Sequence, residues 1–397
     1  MDAAIYFYLE PYVYLSSGEN GVILVNLLDD KTFVFHDSKS IDIATDLMSS
    51  PKGTVCISKQ DADCPLISTA IRNYMGDLIS SINQPLQFAS EVNHKHGVEA
   101  YLKSIIYSKY NVGANIINST IFTSLNHIDT IQYINSTTGT NSSIDTFCNE
   151  CEKTMEASEV CAYAKQLIDL NPNMQIRICG VSLDVLDLLI DTVPIKSLNV
   201  VLSHSTINDN PQLYNYILNN GIYYTILLDL SSEIYELPAK KEQYSIMATV
   251  SNVDELTSYF KLIETGYSAQ LCLVLNPDNI DFIKSMISVT EDELINLPHK
   301  YQVIKANNLV NCNLWGNIYI MPDGNVHFSL INNRNHVKVD SLYVGYKEVL
   351  FNGSIDWILN RNFPKCQKCI YNSLCPSPNY LEFLLRDKKN RKLSYRK

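Results

Sequence analysis

Positive charge is scarce in this sequence. Charged residues make up 18% of the 397 positions, and the formal net charge at pH 7 is −11. Proteins that bind nucleic acid or anionic membranes without specificity need a cationic surface that displaces counterions. The basic residues between Arg386 and Lys397 are an exception, which we interpret as a solvated end of the chain. Composition therefore argues against nucleic acid and membranes as partners.

Long apolar runs are also missing. A membrane-spanning helix needs about 20 predominantly apolar residues, whereas the longest uncharged run, Tyr110 to Ile128, is interrupted by Asn, Ser and Thr. The first residues, Met-Asp-Ala-Ala-Ile-Tyr, lack the basic-then-apolar order of a signal peptide. We therefore expect a cytoplasmic protein, in which the eleven cysteines serve packing or metal binding rather than disulfides.

The short motifs of common enzyme classes are absent as well. The sequence contains no G-x-S-x-G nucleophile turn, no G-x4-G-K-[ST] phosphate loop, no G-x-G-x-x-G dinucleotide motif and no H-E-x-x-H zinc motif. His204 and Asp229 end predicted strands, where we interpret them as polar caps. We assign no catalytic residue from the sequence.

What is present begins with a small α+β module at residues 1–97. Two β-rich runs, starting at Gly21 and Thr32, are joined by Asp-Asp-Lys, which is a hairpin signal. Helical periodicity predicts one helix from Ser38 and another from Pro65. A hairpin with packed helices is large enough to form a domain of its own.

Residues 98–305 alternate between predicted strands and helices. An early pair is the strand Ala114 to Leu125 and the helix Thr154 to Leu170. Later apolar strands recur at intervals of 22 to 26 residues, with amphipathic helices between them, and begin near Met174, Leu198, Ile222, Tyr244 and Gln270. This rhythm predicts parallel strands flanked by helices, hence an α/β fold. Five or six units are countable where a closed barrel has eight, so we predict a partial, open (βα) barrel.

Residues 306–397 lack this rhythm and carry the clearest chemical motif. A hairpin is predicted around Pro322-Asp-Gly. Three cysteines in a C-x2-C-x5-C arrangement follow it, Cys366, Cys369 and Cys375. Thiolates at this spacing converge on one site and suit either an iron–sulfur cluster or tetrahedral zinc. A closed site needs a fourth ligand, for which Cys312 is the first candidate and His327 a weaker one.

The other cysteines carry less information. Cys148 and Cys151 form a second C-x2-C pair, which would be half of a metal site with Cys161, and whether they bind metal stays open. The remaining thiols lie in apolar segments and predict small core residues, namely Cys56, Cys64, Cys179 and Cys272.

The motif of the last segment resembles the SPASM domain of radical-SAM enzymes that modify ribosomally made peptides. In that family, one cysteine precedes a glycine hairpin and a C-x2-C-x5-C run follows, as Cys312, Gly324 and the three cysteines do here. Two further cysteines of the family pattern are replaced by Ser329 and Asn379. The resemblance therefore implies that the auxiliary site that would use Cys312 with positions 329 and 379 is empty. The other site retains Cys366, Cys369 and Cys375 and must recruit a fourth ligand or stay open. With Cys312 as the first candidate for that ligand, we predict one [4Fe–4S] cluster, with zinc as the alternative.

A second departure concerns the reaction itself. Radical-SAM enzymes hold the SAM-cleaving cluster with C-x3-C-x2-C after the first barrel strand, and no C-x3-C pair occurs in this chain. The corresponding stretch begins with Ser124-Leu-Asn-His, and the SAM-contacting segment of the family has become Cys179-Gly-Val-Ser. The sequence resembles the pseudo-radical-SAM branch, which implies a protein that does not use SAM and works beside an active radical-SAM maturase and a precursor peptide.

The resemblance also suggests a role for the first module. Peptide-maturation systems often place a small winged-helix-like domain before the barrel, where it captures the precursor by strand addition. By this analogy the peptide would pair with the second strand of the hairpin, formed by Thr32, Phe33, Val34 and Phe35.

Three hypotheses follow from the sequence. The first is a non-catalytic accessory protein that binds precursor peptide, a radical-SAM maturase, or both. The second is an enzyme or electron-transfer protein that uses the remaining cluster. The third is a structural zinc protein without a link to peptide modification. The absence of the SAM motif favours the first.

Overall fold

The computed structural model describes residues 3–87, 116–139, 153–231, 237, 243–330, 336–338, 366 and 368–387. These residues form a mixed α/β structure, which confirms the predicted class. Their contacts divide the chain into two compact units. The first unit comprises Met1–Tyr101, Val289–Cys312 and Ile358–Pro378. The second unit comprises Leu102–Ser288, Asn313–Trp357 and Asn379–Lys397. The division into three domains at residues 1–97, 98–305 and 306–397 stays a prediction.

Two antiparallel sheets organise the first unit. One has the order β5-β1-β6, with β1 (Ala4–Leu9), β5 (Thr54–Ile57) and β6 (Gly76–Ser81). The other has the order β2-β3-β4, with β2 (Val13–Gly18), β3 (Gly21–Asn26) and β4 (Thr32–Phe35). The predicted hairpin of β3 and β4 is therefore confirmed, and its turn has Asp30 in the left-handed region at φ 58°.

Helices cover both faces of this hairpin sheet. The predicted helices are confirmed as α1 (Ser38–Ser49) and α2 (Pro65–Arg72). Asp37 caps α1, since its carboxylate accepts a hydrogen bond from the Ser40 N–H at 2.8 Å. Leu24 and Phe35 share a buried cluster with both helices. The helices α10 (Glu291–Asn296) and α11 (Tyr301–Leu309) also belong to this unit.

The second unit is built on a nine-stranded, mostly parallel sheet of order β12-β11-β10-β9-β8-β7-β13-β14-β15. Its parallel strands are β7 (Asn118–Phe122), β8 (Gln175–Cys179), β9 (Leu198–Ser203), β10 (Tyr223–Asp229), β11 (Tyr244–Val250), β12 (Ala269–Leu273) and β13 (Asn317–Ile320). The antiparallel edge is β14 (Asn325–His327) and β15 (His336–Lys338). The predicted alternation of parallel strands and helices is confirmed.

Helices separate most of the parallel strands along the chain. They are α3 (Ile128–Thr138), α4 (Ala157–Leu170), α5 (Leu183–Thr192), α6 (His204–Asp209), α7 (Pro211–Asn219), α8 (Val253–Glu264) and α9 (Ile280–Ile287), and α12 (Tyr380–Asp387) ends the described residues. In the part of the chain that the structure describes, no helix is both long and apolar enough to cross a membrane.

The sequence pattern does not predict helix α3. It begins after His127, whose ring nitrogen accepts from the Asp129 N–H, and ends at Gly139 with φ 69°. It lies against β8 to β12, and Tyr133 contacts Thr120 through hydroxyls 3.3 Å apart. Several of its buried side chains are polar, including Asp129. A helix that packs on a polar sheet face shows little apolar periodicity, which explains why the sequence pattern did not reveal it.

The hairpin predicted at Pro322-Asp-Gly forms as β13 and β14. Its first strand extends the parallel sheet, because Tyr319 of β13 pairs with Thr120 of β7. Of the four thiols expected in the core, Cys64, Cys179 and Cys272 are buried. The expectation for Cys56 is wrong, because this side chain is exposed. On the edge strand β5, successive side chains point to opposite faces, and Cys56 faces away from the side on which Ile57 is buried.

Candidate functional site: a cysteine segment, a sheet edge and a polar cavity

The cysteine segment belongs to the first unit and follows tight turns. The Cys369 N–H donates to the Cys366 carbonyl at 3.1 Å, and the Cys375 N–H donates to the Tyr371 carbonyl at 2.8 Å. Lys368 forms an ion pair with Glu19. These turns place all three thiols on one short loop, each partly exposed to solvent.

The apolar residues of this loop are part of the core of the first unit. Ile370, Tyr371 and Leu374 are buried with side chains of the β2-β3-β4 sheet and of the helices α10 and α11, namely Tyr14, Ile23, Val25, Leu294 and Ile304. Cys369 and Cys375 pack against the same cluster. Burial in this apolar layer raises the pKa of the Tyr14 hydroxyl, because it disfavours the charged phenolate. The segment is therefore anchored by the buried residues between Cys369 and Cys375.

Asn307 of α11 connects Cys312 to this loop. Its side-chain nitrogen donates to the carbonyls of Ser373, at 3.1 Å, and Cys375, at 3.4 Å. Its oxygen accepts from the Ser377 hydroxyl at 3.3 Å and lies 3.8 Å from the Cys312 sulfur. The Cys312 N–H in turn donates to Ser377 Oγ at 3.0 Å. One amide thus holds the predicted fourth ligand beside the loop that carries the other three.

The donor set suits a thiolate-bound metal or cluster in its chemistry. Cys312 and the three loop cysteines belong to the same unit, whereas His327, the weaker candidate, belongs to the second unit. Among the described residues, no three His, Cys, Asp or Glu side chains are grouped closely enough to hold a metal ion. The site on Cys366, Cys369, Cys375 and Cys312 therefore stays a prediction. Cys148 and Cys151 lie outside the described residues.

The predicted peptide-binding strand lies at the edge of its sheet. Within the described residues, β4 pairs with β3 alone. The Asn26 N–H donates to the Lys31 carbonyl, and hydrogen-bonded and non-hydrogen-bonded pairs alternate along an antiparallel ladder. The pairs Ile23–Val34 and Val25–Thr32 are consequently non-hydrogen-bonded pairs. The N–H and C=O groups of Thr32 and Val34 point away from β3, toward the free edge.

The second unit contains a cavity of about 710 Å³ on one face of the parallel sheet. Its lining includes the first residue of four strands, Asn118, Gln175, Tyr223 and Asn317. It also includes the second residue of three others, Asn199, Ser245 and Gln270. Because parallel strands share their direction, these positions lie at the same, amino-terminal edge of the sheet. Tyr133 and Ser136 of α3 line the same cavity.

The polar groups of this cavity are mostly amides and hydroxyls. Thr225 Oγ1 donates to Asn199 Oδ1 at 3.0 Å and lies 3.0 Å from the Ser245 hydroxyl. Arg177 is the one guanidinium among the described lining residues, which include no carboxylate, lysine or histidine. Burial raises the pKa of the Tyr319 hydroxyl far above its usual range, and the nearby charge of Arg177 opposes that shift. The cavity can donate and accept hydrogen bonds around one positive charge.

The carboxyl-terminal edge of the sheet is arranged differently. After β7, the chain runs through Ser124 into α3, where the buried Asp129 carboxylate accepts from the Ser203 N–H at 2.8 Å and the Thr206 hydroxyl at 2.7 Å. After β8, Gly180 has φ 75°, and a Cβ there would lie 2.8 Å from Thr123 Oγ1. At this edge, the Asp129 carboxylate stabilises the start of the helix after β9, and the chain after β8 packs closely on Thr123.

A smaller cavity of about 220 Å³ lies at the carboxyl ends of β10 to β12. Asp229, expected from sequence to be a strand-end cap, lines it and accepts from the Ser231 N–H at 3.0 Å. Glu255 also lines it and accepts from the Ser251 N–H and hydroxyl. Both carboxylates cap backbone at these positions.

Sequence reasoning missed the larger cavity. Its signal was present, because polar residues occupy the first or second position of successive apolar strands, as Asn199 does in β9 and Ser245 in β11. The sequence interpretation considered only His204 and Asp229, which end predicted strands, and not the polar residues at strand starts. A search of protein-family models finds no match to this chain, and a search of curated proteins finds no relative.

Proposed function

We propose that this protein is a non-catalytic accessory protein in the maturation of a ribosomally synthesised peptide. In this role it binds the precursor peptide, an active radical-SAM maturase, or both. The first unit would supply a winged-helix-like recognition element, the second a partial barrel of radical-SAM type, and the cysteine segment a SPASM-like motif. The free edge of β4 carries this proposal.

Strand addition at β4 needs only what the edge offers. Thr32 and Val34 direct backbone donors and acceptors outward, and the side chains of the strand alternate between the two faces of the sheet. On one face Phe33 and Phe35 join the cluster with α1 and α2, and on the other Val34 packs beside Ile23. A peptide strand would gain affinity from backbone pairing and selectivity from the adjoining apolar groups.

The second unit supports the barrel part of the proposal. Strands β7 to β12 follow one another in the sheet in the order of the chain, as successive strands of a (βα) barrel do. After β7, the described chain offers Ser124 and His127 where radical-SAM enzymes carry cluster cysteines. A protein without those thiolates has no cysteine ligands for a SAM-binding cluster at that position. This favours a non-catalytic role in binding the precursor peptide or the maturase.

The remaining cluster would be held by Cys366, Cys369, Cys375 and Cys312. If it binds, a [4Fe–4S] cluster supplies electron-transfer capacity, whereas zinc supplies structure only. The packing of Ile370 and Leu374 in the core of the first unit favours a structural role for either. Iron and sulfide analysis of anaerobically purified protein distinguishes the two metals.

The experiment that tests the proposal compares two substitutions at one edge position. Val34→Pro removes the outward N–H without removing a β3–β4 hydrogen bond, whereas Val34→Ala keeps that donor and shortens the side chain. The full-length protein is titrated with the leader segment of its precursor by calorimetry. We expect micromolar binding, about −8 kcal/mol, in the wild type and in Val34→Ala, and at least tenfold weaker binding in Val34→Pro.

Both variants are first compared with wild type by circular dichroism and thermal unfolding. Equal binding by Val34→Pro and Val34→Ala, with both folded, would rule out strand addition at β4. Absence of leader binding in all three proteins, together with no co-purification of a radical-SAM maturase from the native host, would reject the proposed function as a whole.

A further inference from the structure

The larger cavity holds a positive charge that no described carboxylate neutralises. Arg177 is partly buried on β8 and lines the cavity. Among the described residues no carboxylate lies within ion-pair distance of it, although the chain has 42 acidic residues and 31 basic ones. Its neighbours in register are Thr120 on β7 and Asn199 on β9, both neutral.

A partly buried cation without a partner is costly, because removal of solvent weakens its hydration and nothing replaces it. An arrangement of this kind is favourable when a ligand brings the opposite charge. A guanidinium presents parallel N–H donors that match the two oxygens of a carboxylate. The cavity therefore has one group suited to hold an anion.

The other polar groups of the cavity are suited to hydrogen-bond the amide groups of a peptide backbone. Asn118 and Gln270 line the cavity, and among the described residues neither side-chain amide has a hydrogen-bond partner. The side-chain nitrogen of Asn199 also has no hydrogen-bond partner in the described part of the chain, where only its oxygen is bonded, to Thr225. Primary amides donate and accept at once, as peptide groups do. A cavity of about 710 Å³ falls within the range of ligand sites and accommodates a few amino-acid residues.

We propose that this cavity binds a short peptide segment by a carboxylate held on Arg177, with the surrounding amides contacting the peptide backbone. This inference rests on the proposed function in taking the ligand to be a peptide, and it assigns a second contact, separate from the β4 edge. The carboxylate comes either from an Asp or Glu side chain or from the carboxyl terminus of the peptide. Both sources present the same planar group.

Three synthetic tetrapeptides separate these sources. The neutral probe is acetyl-Gly-Asn-Asn-Gly-amide. The second probe replaces one Asn by Asp, and the third keeps both Asn residues and has a free carboxyl terminus. Each is titrated into the full-length protein by calorimetry at concentrations up to about 10 mM. We expect at least one carboxylate probe to bind tenfold or more tightly than the neutral probe, and the better one identifies the source.

Two variants test whether Arg177 binds the carboxylate. Arg177→Gln removes the charge, and Asn199→Asp places a carboxylate on the neighbouring strand while keeping the oxygen that accepts from Thr225. Arg72→Gln is the matched control, since Arg72 is exposed on α2 in the first unit. We expect the preference for a carboxylate to vanish in Arg177→Gln and Asn199→Asp and to persist in Arg72→Gln. Asn199→Asp decides the matter if Arg177→Gln does not fold.

The proposal is overturned if all three probes bind equally, if none binds, or if the preference survives in Arg177→Gln and Asn199→Asp. Stronger binding of inorganic phosphate than of every carboxylate probe also overturns it. These failures leave the β4 experiment untouched, because leader binding is measured with Val34 variants in which Arg177 is intact. Conversely, loss of leader binding leaves the tetrapeptide result as it stands.

Discussion

Single residues decide how the cysteine segment is held. Asn307 uses one side-chain amide to contact two carbonyls of the loop, the Ser377 hydroxyl and the Cys312 sulfur. It is buried, so loss of these contacts would leave several polar groups without partners. Neither the periodicity nor the cysteine spacing indicated this role, because an asparagine in a helix has no pattern that marks it as a bridge.

We predict that His327 contributes a pH dependence to the free energy of unfolding. Burial, and next the nearby His336, lower the pKa of His327 to about 4 from 6.5. The unfolded chain therefore binds more protons than the folded protein between those values, so stability is full above about pH 6.5 and falls as the pH decreases toward 4. We expect the free energy of unfolding to fall by roughly 2 kcal/mol between pH 7.5 and pH 5 on account of this residue.

The measurement is urea unfolding at both pH values for wild type, His327→Gln and, as an exposed control, His36→Gln. His327→Gln should lose most of that pH dependence, and His36→Gln should behave as wild type. An identical pH dependence in His327→Gln would show that the buried imidazole is not its source. His299, whose pKa burial also lowers, is present in all three proteins and cancels in the comparison.

At the scale of elements, local patterns were a good guide to what forms and a poor guide to what it contacts. The runs from Gly21 and Thr32 form β3 and β4, and the apolar run near Leu198 forms β9. The cysteine segment, however, packs on the β2-β3-β4 sheet far away in sequence. Apolar spacing indicates that a face is buried, but it does not specify the partner surface.

The cysteine segment supplies the prediction at this scale. If its thiols bind a metal or cluster, Cys369→Ala should release it. The free energy of unfolding of the first unit should then fall by several kcal/mol, because binding free energy in a closed site is folding free energy. Metal content and thermal unfolding of anaerobically purified protein are measured for Cys369→Ala and for Cys56→Ala, an exposed thiol outside the segment. Unchanged metal content and melting in Cys369→Ala would refute the site.

At the scale of the whole molecule, we predict that the protein does not cleave SAM, since no C-x3-C pair exists in the chain. Protein reconstituted with iron and sulfide, then reduced in the presence of SAM, should release no more 5′-deoxyadenosine than a cluster-free control. Release above that control would contradict the accessory role and favour an enzyme. The assay includes an active radical-SAM enzyme to establish that the reductant works.

The sequence by itself determined the α/β class, the parallel strand–helix units, the β3–β4 hairpin and the absence of a SAM-cluster motif. Each of these follows from a local sequence pattern, namely periodicity, turn residues or the spacing of cysteines. Only the tertiary structure decided that β13 pairs with β7, that α3 crosses the polar face of the sheet, and that Arg177 lies among amides with no described carboxylate in the same cavity. These arrangements depend on contacts between residues far apart in the chain, and such contacts leave no local pattern from which they can be predicted.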